Sequence, residues 1–121
     1  MLYLVIIGGA LGSGLRYILG QLLSSYWSTL IVNVLGSVVL AVVFAICEKK
    51  HGNLFYTQAY LLLGCGFCGG FTTFSTFTLD NMHLLLTGNY LNCLFNIIAN
   101  IVLSILISIV AYKLAYKFIY L

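Results

Sequence analysis

The sequence predicts an all-α integral membrane protein with one four-helix transmembrane domain, residues 1–121, in which the third helix is broken. Hydrophobic residues make up 63% of the chain and charged residues only 6%, whereas an ordinary soluble domain carries about 25% charged residues. The charges leave uncharged runs over 17–47, 51–79 and 81–112, each longer than the roughly 20 residues that cross a bilayer. A cluster of glycines beside Thr and Ser in the middle run favours a helix break. A soluble globular protein is excluded.

Helix one is predicted over about 2–23. This segment lacks a basic n-region and a small-residue cleavage site, so it is predicted to be a membrane helix and not a signal peptide. Gly8, Gly12, Arg16 and Gly20 follow at spacings of four and share one face. Either this face is a packing seam from which Arg16 extends to the headgroups, or Arg16 lies near an aqueous entrance and raises the local anion concentration.

Helices two and four, predicted over about 28–47 and 90–116, each carry polar residues among aliphatic ones. In helix two, Asn33 lies on the same face as Gly36 and Ser37. In helix four a polar stripe recurs every four residues, at Asn96, Asn100, Ser104 and Ser108. These amides and hydroxyls suit either contacts between helices or a path for a partly dehydrated ion.

Helix three is predicted over about 56–86 with a break near 69–76. Non-helical backbone at membrane depth requires protein or water to satisfy its polar groups. The hydroxyls that follow the glycines can donate to an anion, as can the positive edges of the Phe rings. Carbonyls freed at the break can coordinate a small cation. Gly64, Gly66 and Gly69 match a dinucleotide-binding pattern. That pattern requires a preceding strand in a parallel α/β sheet, and a chain of this composition is not expected to form one.

Other classes of function are disfavoured. The net charge of +3 forms no basic patch, so no nucleic-acid partner is expected. The four cysteines, Cys47, Cys65, Cys68 and Cys93, are expected to be reduced packing residues. No arrangement of nucleophile and base indicates an enzyme.

The run GFCGGFTTFSTF, residues 66–77, closely resembles the signature of the Fluc fluoride channels, also called the CrcB family. The run GGALGSGLRY in helix one and the pair Asn33 and Gly36 in helix two match the family as well. The length and the four-helix plan fit from end to end.

The resemblance implies a passive, fluoride-selective channel that exports cytoplasmic fluoride and so protects the cell. It implies a multi-pass protein of the plasma membrane, of bacterial origin. Family members are dimers of two oppositely inserted subunits, with two pores along the interface. A buried sodium ion lies at the centre, held by backbone carbonyls at the helix-three break.

The family's functional residues are carried over as an expectation. The sodium-binding carbonyls correspond to Gly69 and Thr72, and Arg16 corresponds to the arginine near the vestibule. Asp80 stands where the family usually has Glu. The expected fluoride pore residues are Asn33, Phe74, Ser75, Thr76, Phe77, Asn96, Asn100 and Ser104, with the helix-four members placed by spacing alone.

One alternative is a small proton-coupled exporter of the multidrug type, which also has four helices but needs a membrane-embedded carboxylate that helices one and two lack. A membrane subunit without transport activity is another. The partner of the chain also stays open. Lys49, Lys50, Lys113 and Lys117 all lie on the side of the termini, a bias that favours one orientation. The dimer is therefore either an antiparallel homodimer that overrides this bias or a heterodimer with an oppositely oriented paralogue.

Overall fold

The computed structural model describes residues 1–23, 25–50 and 52–121, and these are almost entirely helical. Four segments are long and apolar enough to cross a membrane, which confirms the predicted number of spans. We call them span one (Leu2–Leu23), span two (Tyr26–Lys50), span three (Leu54–Leu86) and span four (Tyr90–Tyr120). Spans two and four contact each other closely, and span one packs mainly on span three.

The spans are built from shorter elements. Span one is the single helix α1 (Leu2–Leu23), and span two is α2 (Tyr26–Cys47) followed by a 3₁₀ turn (Glu48–Lys50). Span three contains α3 (Leu54–Ala59), a π-helical segment (Tyr60–Cys68), α4 (Gly69–Phe71) and α5 (Phe74–Leu86). Span four contains α6 (Tyr90–Ile98), a second π-helical segment (Ala99–Leu103) and α7 (Ser104–Tyr120).

The predicted helix ends differ from the observed ones by a few residues, because capping groups and not hydropathy set them. Helix α2 begins at Tyr26, two residues before the expected start, because Ser25 in extended conformation caps it. Span three begins at Leu54, where the Asn53 Oδ1 accepts a hydrogen bond from the Phe55 N–H at 3.0 Å. Span four continues to Tyr120, one turn beyond the predicted end at 116.

Span one packs on span three through a seam of glycines. Gly8 and Gly12 of α1 are buried, and a Cβ atom at either position would collide with the backbone of Leu62 or Phe67. From the other side, a Cβ on Gly66 would lie 3.0 Å from the Gly8 Cα. The small residues therefore let the two backbones touch, as is typical of membrane helices. The packing seam predicted for helix one is confirmed at Gly8 and Gly12, but it does not reach Gly20, which has no atom near its Cβ position.

Span three loses its helical conformation between α4 and α5. Thr72 has φ −74° and ψ 157°, and Thr73 has φ −148° and ψ 116°, both extended. The helix resumes at Phe74 with Thr73 as its N-cap. Gly36 of α2 lies against this point, where a Cβ would collide with the Thr72 methyl group and lie 3.2 Å from the Phe71 ring. The absence of a side chain at Gly36 thus leaves room for the two extended residues.

One end of the molecule carries lysines among tyrosines. The Lys49 ammonium lies 4.5 Å from the centre of the Tyr116 ring and 4.9 Å from that of Tyr120. Lys50 lies 4.5 Å from the Tyr56 ring centre, and its Nζ donates to the Tyr56 hydroxyl at 2.8 Å. The Lys49 contacts join the ends of spans two and four, and the Lys50 contacts join span two to the start of span three. The end of span four that carries Lys117 therefore lies beside Lys49, on the side predicted for the basic residues.

Candidate functional site

The site is an open cavity of about 450 Å³ between spans two, three and four, at the level of the break. Both π-helical segments contribute to its wall, and such segments often occur at functional sites. It contains seven of the eleven residues predicted from the sequence: Asn33, Gly69, Thr72, Phe74, Phe77, Asn100 and Ser104. Its other lining residues are Gly36, Ser37, Leu40, Tyr60, Gly64, Cys65, Cys68, Thr73 and Ile101, so no charged side chain lines it among the described residues.

The two phenylalanines predicted for the pore lie side by side in this wall. Their ring centres are 5.5 Å apart with an interplanar angle of 42°. They lie three residues apart at the start of α5, which places both rings on the same side of that helix. Phe74 is 80% exposed in the single chain. Both rings therefore line the cavity, and the edge of a phenyl ring is the part that attracts an anion.

Asn33 connects span two to the break. Its Oδ1 accepts a hydrogen bond from the Thr73 N–H at 2.8 Å, and its Nδ2 donates to the Asn100 Oδ1 at 2.9 Å. A longer contact of 3.3 Å joins the same Nδ2 to the Thr73 carbonyl. Asn33 thus satisfies backbone groups that the extended conformation removes from the helical pattern.

The hydroxyls beside the phenylalanines build the start of α5. The Thr73 Oγ1 accepts from the Thr76 N–H at 3.1 Å and lies 3.2 Å from the Ser75 Oγ and 3.1 Å from the Thr76 Oγ1. Ser75 and Thr76 lie outside the cavity. Their hydroxyls form hydrogen bonds with the hydroxyl of Thr73, the N-cap of α5.

Ser104 has the free hydroxyl of the site. Its Oγ is buried and lacks a hydrogen-bond partner among the described residues. Other serines in the spans, Ser37 and Ser108, donate to the carbonyl four residues earlier, at 2.7 and 2.6 Å. Ser104 follows the π-helical segment 99–103, in which the wider turn displaces that carbonyl. Its hydroxyl therefore has no competing bond to the described residues and can turn toward a ligand in the cavity that Ser104 lines.

Gly69 and Thr72, the predicted sodium ligands, lie at the break and line the cavity. In a continuous helix the Gly69 carbonyl would accept from the Thr73 N–H and the Thr72 carbonyl from the Thr76 N–H. Here the Thr73 N–H donates to Asn33 and the Thr76 N–H donates to the Thr73 hydroxyl. Gly69 is exposed, and no atom lies within 4 Å of its Cβ position. Two oxygen ligands at an open position fit a small hard cation.

Arg16 turns inward to the break. Its Nε donates to the Gly70 carbonyl at 3.0 Å, a contact that does not favour the alternative in which it extends to the headgroups. Arg16 and Thr76 line a second cleft of about 270 Å³ on the other side of Thr73, which lines both. This arrangement agrees with the other alternative, in which Arg16 lies at an entrance.

The structure places Asn96 outside the cavity wall. It is 1% exposed, and its Nδ2 donates to the Asn81 Oδ1 at 3.2 Å, while its own Oδ1 accepts from the Asn100 Nδ2 at 2.9 Å. The residues of the polar stripe of span four therefore do not all face the cavity. Its first residue faces the protein interior, and only Asn100 and Ser104 reach the cavity.

Thr73, one of the hydroxyl residues expected to donate to an anion, is 7% exposed and lines both cavities. Some residues near the site were not predicted, and the first is Asn81, which is equally buried. Thr29, 2% exposed, donates to the Asp80 Oδ2 at 2.6 Å and so ties span two to α5. Asn81 could have been predicted, because an amide in an apolar span needs a hydrogen-bond partner. Nothing in the sequence around Thr29 indicates that it contacts Asp80. Cys65 also differs from expectation, since it is exposed to the cavity while the other three cysteines are buried.

Comparison with known proteins identifies the family. The family described as CrcB-like protein, camphor resistance (CrcB), matches residues 3–112. A relative from Leptospira interrogans, named fluoride-specific ion channel FluC, is 46% identical over 96 residues, 74% of each chain. A relative with the same name from Pyrococcus furiosus is 41% identical over 78% of each chain. Another, from Shewanella baltica, is 35% identical over 80% of this chain and 81% of the relative. The chain belongs to the CrcB family.

Proposed function

We propose that this chain is a subunit of a fluoride-selective channel that exports cytoplasmic fluoride passively across the plasma membrane of a bacterial cell. The observation that carries the proposal is the convergence of Asn33, Phe74, Phe77, Asn100 and Ser104 on one cavity at the helix break. The family membership and the printed names of the relatives support it.

The chemistry of the cavity suits this ion. Fluoride is small and strongly hydrated, so a pore must replace its water with several donors at close range. Amide N–H groups, a free hydroxyl and phenyl edges supply these donors. Among the residues that the structure describes, no fixed positive charge lines the cavity, so binding stays weak enough for the ion to leave.

Fluoride efflux from liposomes tests the proposal. Vesicles that contain the purified protein and a fluoride solution are diluted into fluoride-free buffer, and a fluoride electrode follows release at equal pH on both sides. We expect rapid release of fluoride and negligible release of chloride under the same conditions. Absence of fluoride release would refute the channel function, and release only with an imposed pH gradient would favour a proton-coupled exporter.

We also infer that two subunits cover each other's cavities in an antiparallel dimer. The cavity is open, Phe74 is 80% exposed, and the break exposes Gly69. Lipid cannot satisfy such backbone and amide groups, and membrane proteins keep irregular backbone within protein or against water. A second subunit in the opposite orientation would complete the wall with the same set of groups.

The lysine cluster bears on which chain is the partner. Lys49, Lys50, Lys113 and Lys117 at one end oppose a single Arg16 toward the other, which favours one orientation of this chain. A single cysteine at Leu121, in a variant whose native cysteines are replaced, reports orientation when the chain is expressed alone. Labelling from both sides together with fluoride flux indicates the homodimer. Labelling from one side without flux indicates a heterodimer with an oppositely oriented paralogue.

We further propose that the carbonyls of Gly69 and Thr72 hold a structural sodium ion at the dimer interface. The diverted Thr73 and Thr76 N–H groups support this, because they leave both carbonyls without their helical donors. Such an ion supplies positive charge that stabilises carbonyl groups brought together from two subunits. Gly69 keeps helical dihedral angles in the last turn before the break, whereas Thr72 is extended, so their carbonyls are freed at the end of one half-helix and in the break itself.

A further inference from the structure

Four asparagine side chains from three spans form one continuous chain of hydrogen bonds. The Asn33 Nδ2 donates to the Asn100 Oδ1 at 2.9 Å, and the Asn100 Nδ2 donates to the Asn96 Oδ1 at 2.9 Å. The Asn96 Nδ2 then donates to the Asn81 Oδ1 at 3.2 Å. We call these four residues the amide chain. Every link points in the same direction, so each amide polarises the next.

Both ends of the amide chain are anchored to the backbone of the break region. At one end the Thr73 N–H donates to the Asn33 Oδ1 at 2.8 Å, and at the other the Asn81 Nδ2 donates to the Phe77 carbonyl at 2.8 Å. A side-chain amide can rotate by half a turn and exchange its oxygen for its nitrogen, but a backbone N–H cannot accept and a carbonyl cannot donate. These two backbone groups, together with the Asn96 carbonyl that accepts from the Asn100 Nδ2 at 3.0 Å, therefore determine the orientation of all four amides.

Asn81 and Asn96 have no direct access to the cavity. Asn81 is 7% exposed and Asn96 is 1% exposed, whereas Asn33 and Asn100 line the cavity. A buried amide is costly unless its groups are bonded, so two such residues behind the wall need a reason. Their bonds to Asn100 and to the Phe77 carbonyl connect them to both sides of the site.

From this geometry we propose that Asn81 and Asn96 are positioning residues for anion permeation, an inference that rests on the proposed function. They hold Asn33 with its oxygen toward the Thr73 N–H and its nitrogen toward the cavity side. The second N–H of Asn33 has only the 3.3 Å contact with the Thr73 carbonyl, which is the longest bond of this residue. An anion in the cavity can replace that contact and accept the N–H.

A break in the amide chain removes this control. The Asn100 Nδ2 also donates to the Asn96 backbone carbonyl at 3.0 Å, and without Asn81 or Asn96 this single bond is left to oppose rotation of the Asn100 amide. In the rotated state Asn100 offers N–H groups to Asn33. The Asn33 Nδ2 then loses the Asn100 Oδ1 as its acceptor. The Asn33 amide consequently rotates for part of the time, so that its oxygen faces the cavity. A carbonyl oxygen repels an anion, so the conducting arrangement becomes less populated and fluoride binds more weakly.

The test uses Asn81→Leu, Asn96→Leu and the double variant, in the reconstituted dimer. Fluoride flux is measured against fluoride concentration, and thermal unfolding is measured in parallel. We expect each single variant to raise the half-saturating fluoride concentration by about tenfold, the effect of about one hydrogen bond. Because both residues act through one chain, the double variant should show the same increase and not the hundredfold expected of independent sites.

Leu84→Ala is the matched control. Leu84 is 7% exposed, as Asn81 is, and lies on the same helix three residues later, outside the amide chain. Its truncation should lower the unfolding temperature and leave the half-saturating concentration unchanged. If a leucine variant does not purify as a dimer, Asn81→Ser, which is too short to reach Asn96 but admits water, replaces it with the same expected increase.

The outcomes separate the two proposals. If the wild-type protein fails to conduct fluoride, the proposed function fails. If the wild type conducts and the Asn81 and Asn96 variants keep its half-saturating concentration, the positioning role is refuted while the channel function stands. A multiplicative effect in the double variant would also overturn it, since it would mean that the two residues act independently.

Discussion

Arg16 donates a hydrogen bond from its Nε to the carbonyl oxygen of Gly70 at 3.0 Å, across 54 positions of sequence. Gly70 lies two residues before the extended Thr72, so the guanidinium binds the end of the first half of span three. The positive charge is thereby held inside the protein, next to a helix C-terminus, where the carbonyl dipoles favour it. The break is consequently supported from span one by Arg16 and from span two by Asn33.

Arg16→Gln is expected to destabilise the protein. Loss of a partly buried hydrogen bond from a charged donor costs about 1.5–3 kcal/mol, which thermal unfolding in detergent would detect. Gln21→Ala is the control, because Gln21 is exposed and lines the same cleft. Equal unfolding temperatures for Arg16→Gln and the wild type would show that the contact with Gly70 contributes nothing.

Alanine substitutions of the glycines in span one should have different effects on folding inside and outside the seam with span three. A Cβ on Gly8 or Gly12 meets the backbone of span three, which cannot move aside, so Gly8→Ala and Gly12→Ala should abolish the folded protein or separate the two spans. Gly14 and Gly20 have no atom within 4 Å of the Cβ position. Alanine at these sites should be neutral or stabilise the helix by up to about 1 kcal/mol. Yield and monodispersity in size-exclusion chromatography measure the difference, and equal behaviour of the two pairs would contradict the seam.

The phenylalanines are expected to act through their ring edges. Phe74→Ile and Phe77→Ile keep most of the apolar volume but remove the quadrupole, so fluoride flux should fall severely while the dimer stays folded. Phe95→Ile is the control, since Phe95 is exposed on span four and its ring packs against Trp27. Wild-type flux in both pore variants would remove the two residues from the permeation site.

Sodium removal tests the proposed ion site. A structural ion binds only the folded state and therefore stabilises it. Once the sodium concentration exceeds the dissociation constant, the free energy of unfolding rises with the logarithm of that concentration. The gain is about 2.7 kcal/mol at a hundredfold excess over the dissociation constant. Exchange of sodium for a large organic cation should therefore lower the unfolding temperature. Potassium at the same ionic strength controls for screening. An unfolding temperature that stays the same after exhaustive sodium removal would eliminate the site.

Much of the candidate site could be predicted from sequence because it depends on local chemistry. The run from Gly66 to Phe77 combines small residues, hydroxyls and two phenylalanines three apart, and its local conformation follows from those residue types. The placement of Asn96 could not be predicted in this way. Spacing puts it in line with Asn100 and Ser104, but the direction in which each side chain faces depends on the π-helical segment and on the helices packed around span four.

The sequence by itself determined the class of protein, the four spans and the side that carries the lysines, because apolar length and charge position act through the membrane and need no tertiary contact. Only the tertiary structure decided the direction of Arg16, the free hydroxyl of Ser104 and the bond from Asn96 to Asn81. A polar side chain in a membrane must find a partner. Which partner it finds depends on the neighbouring helix that reaches it, and that neighbour is set by how the spans pack.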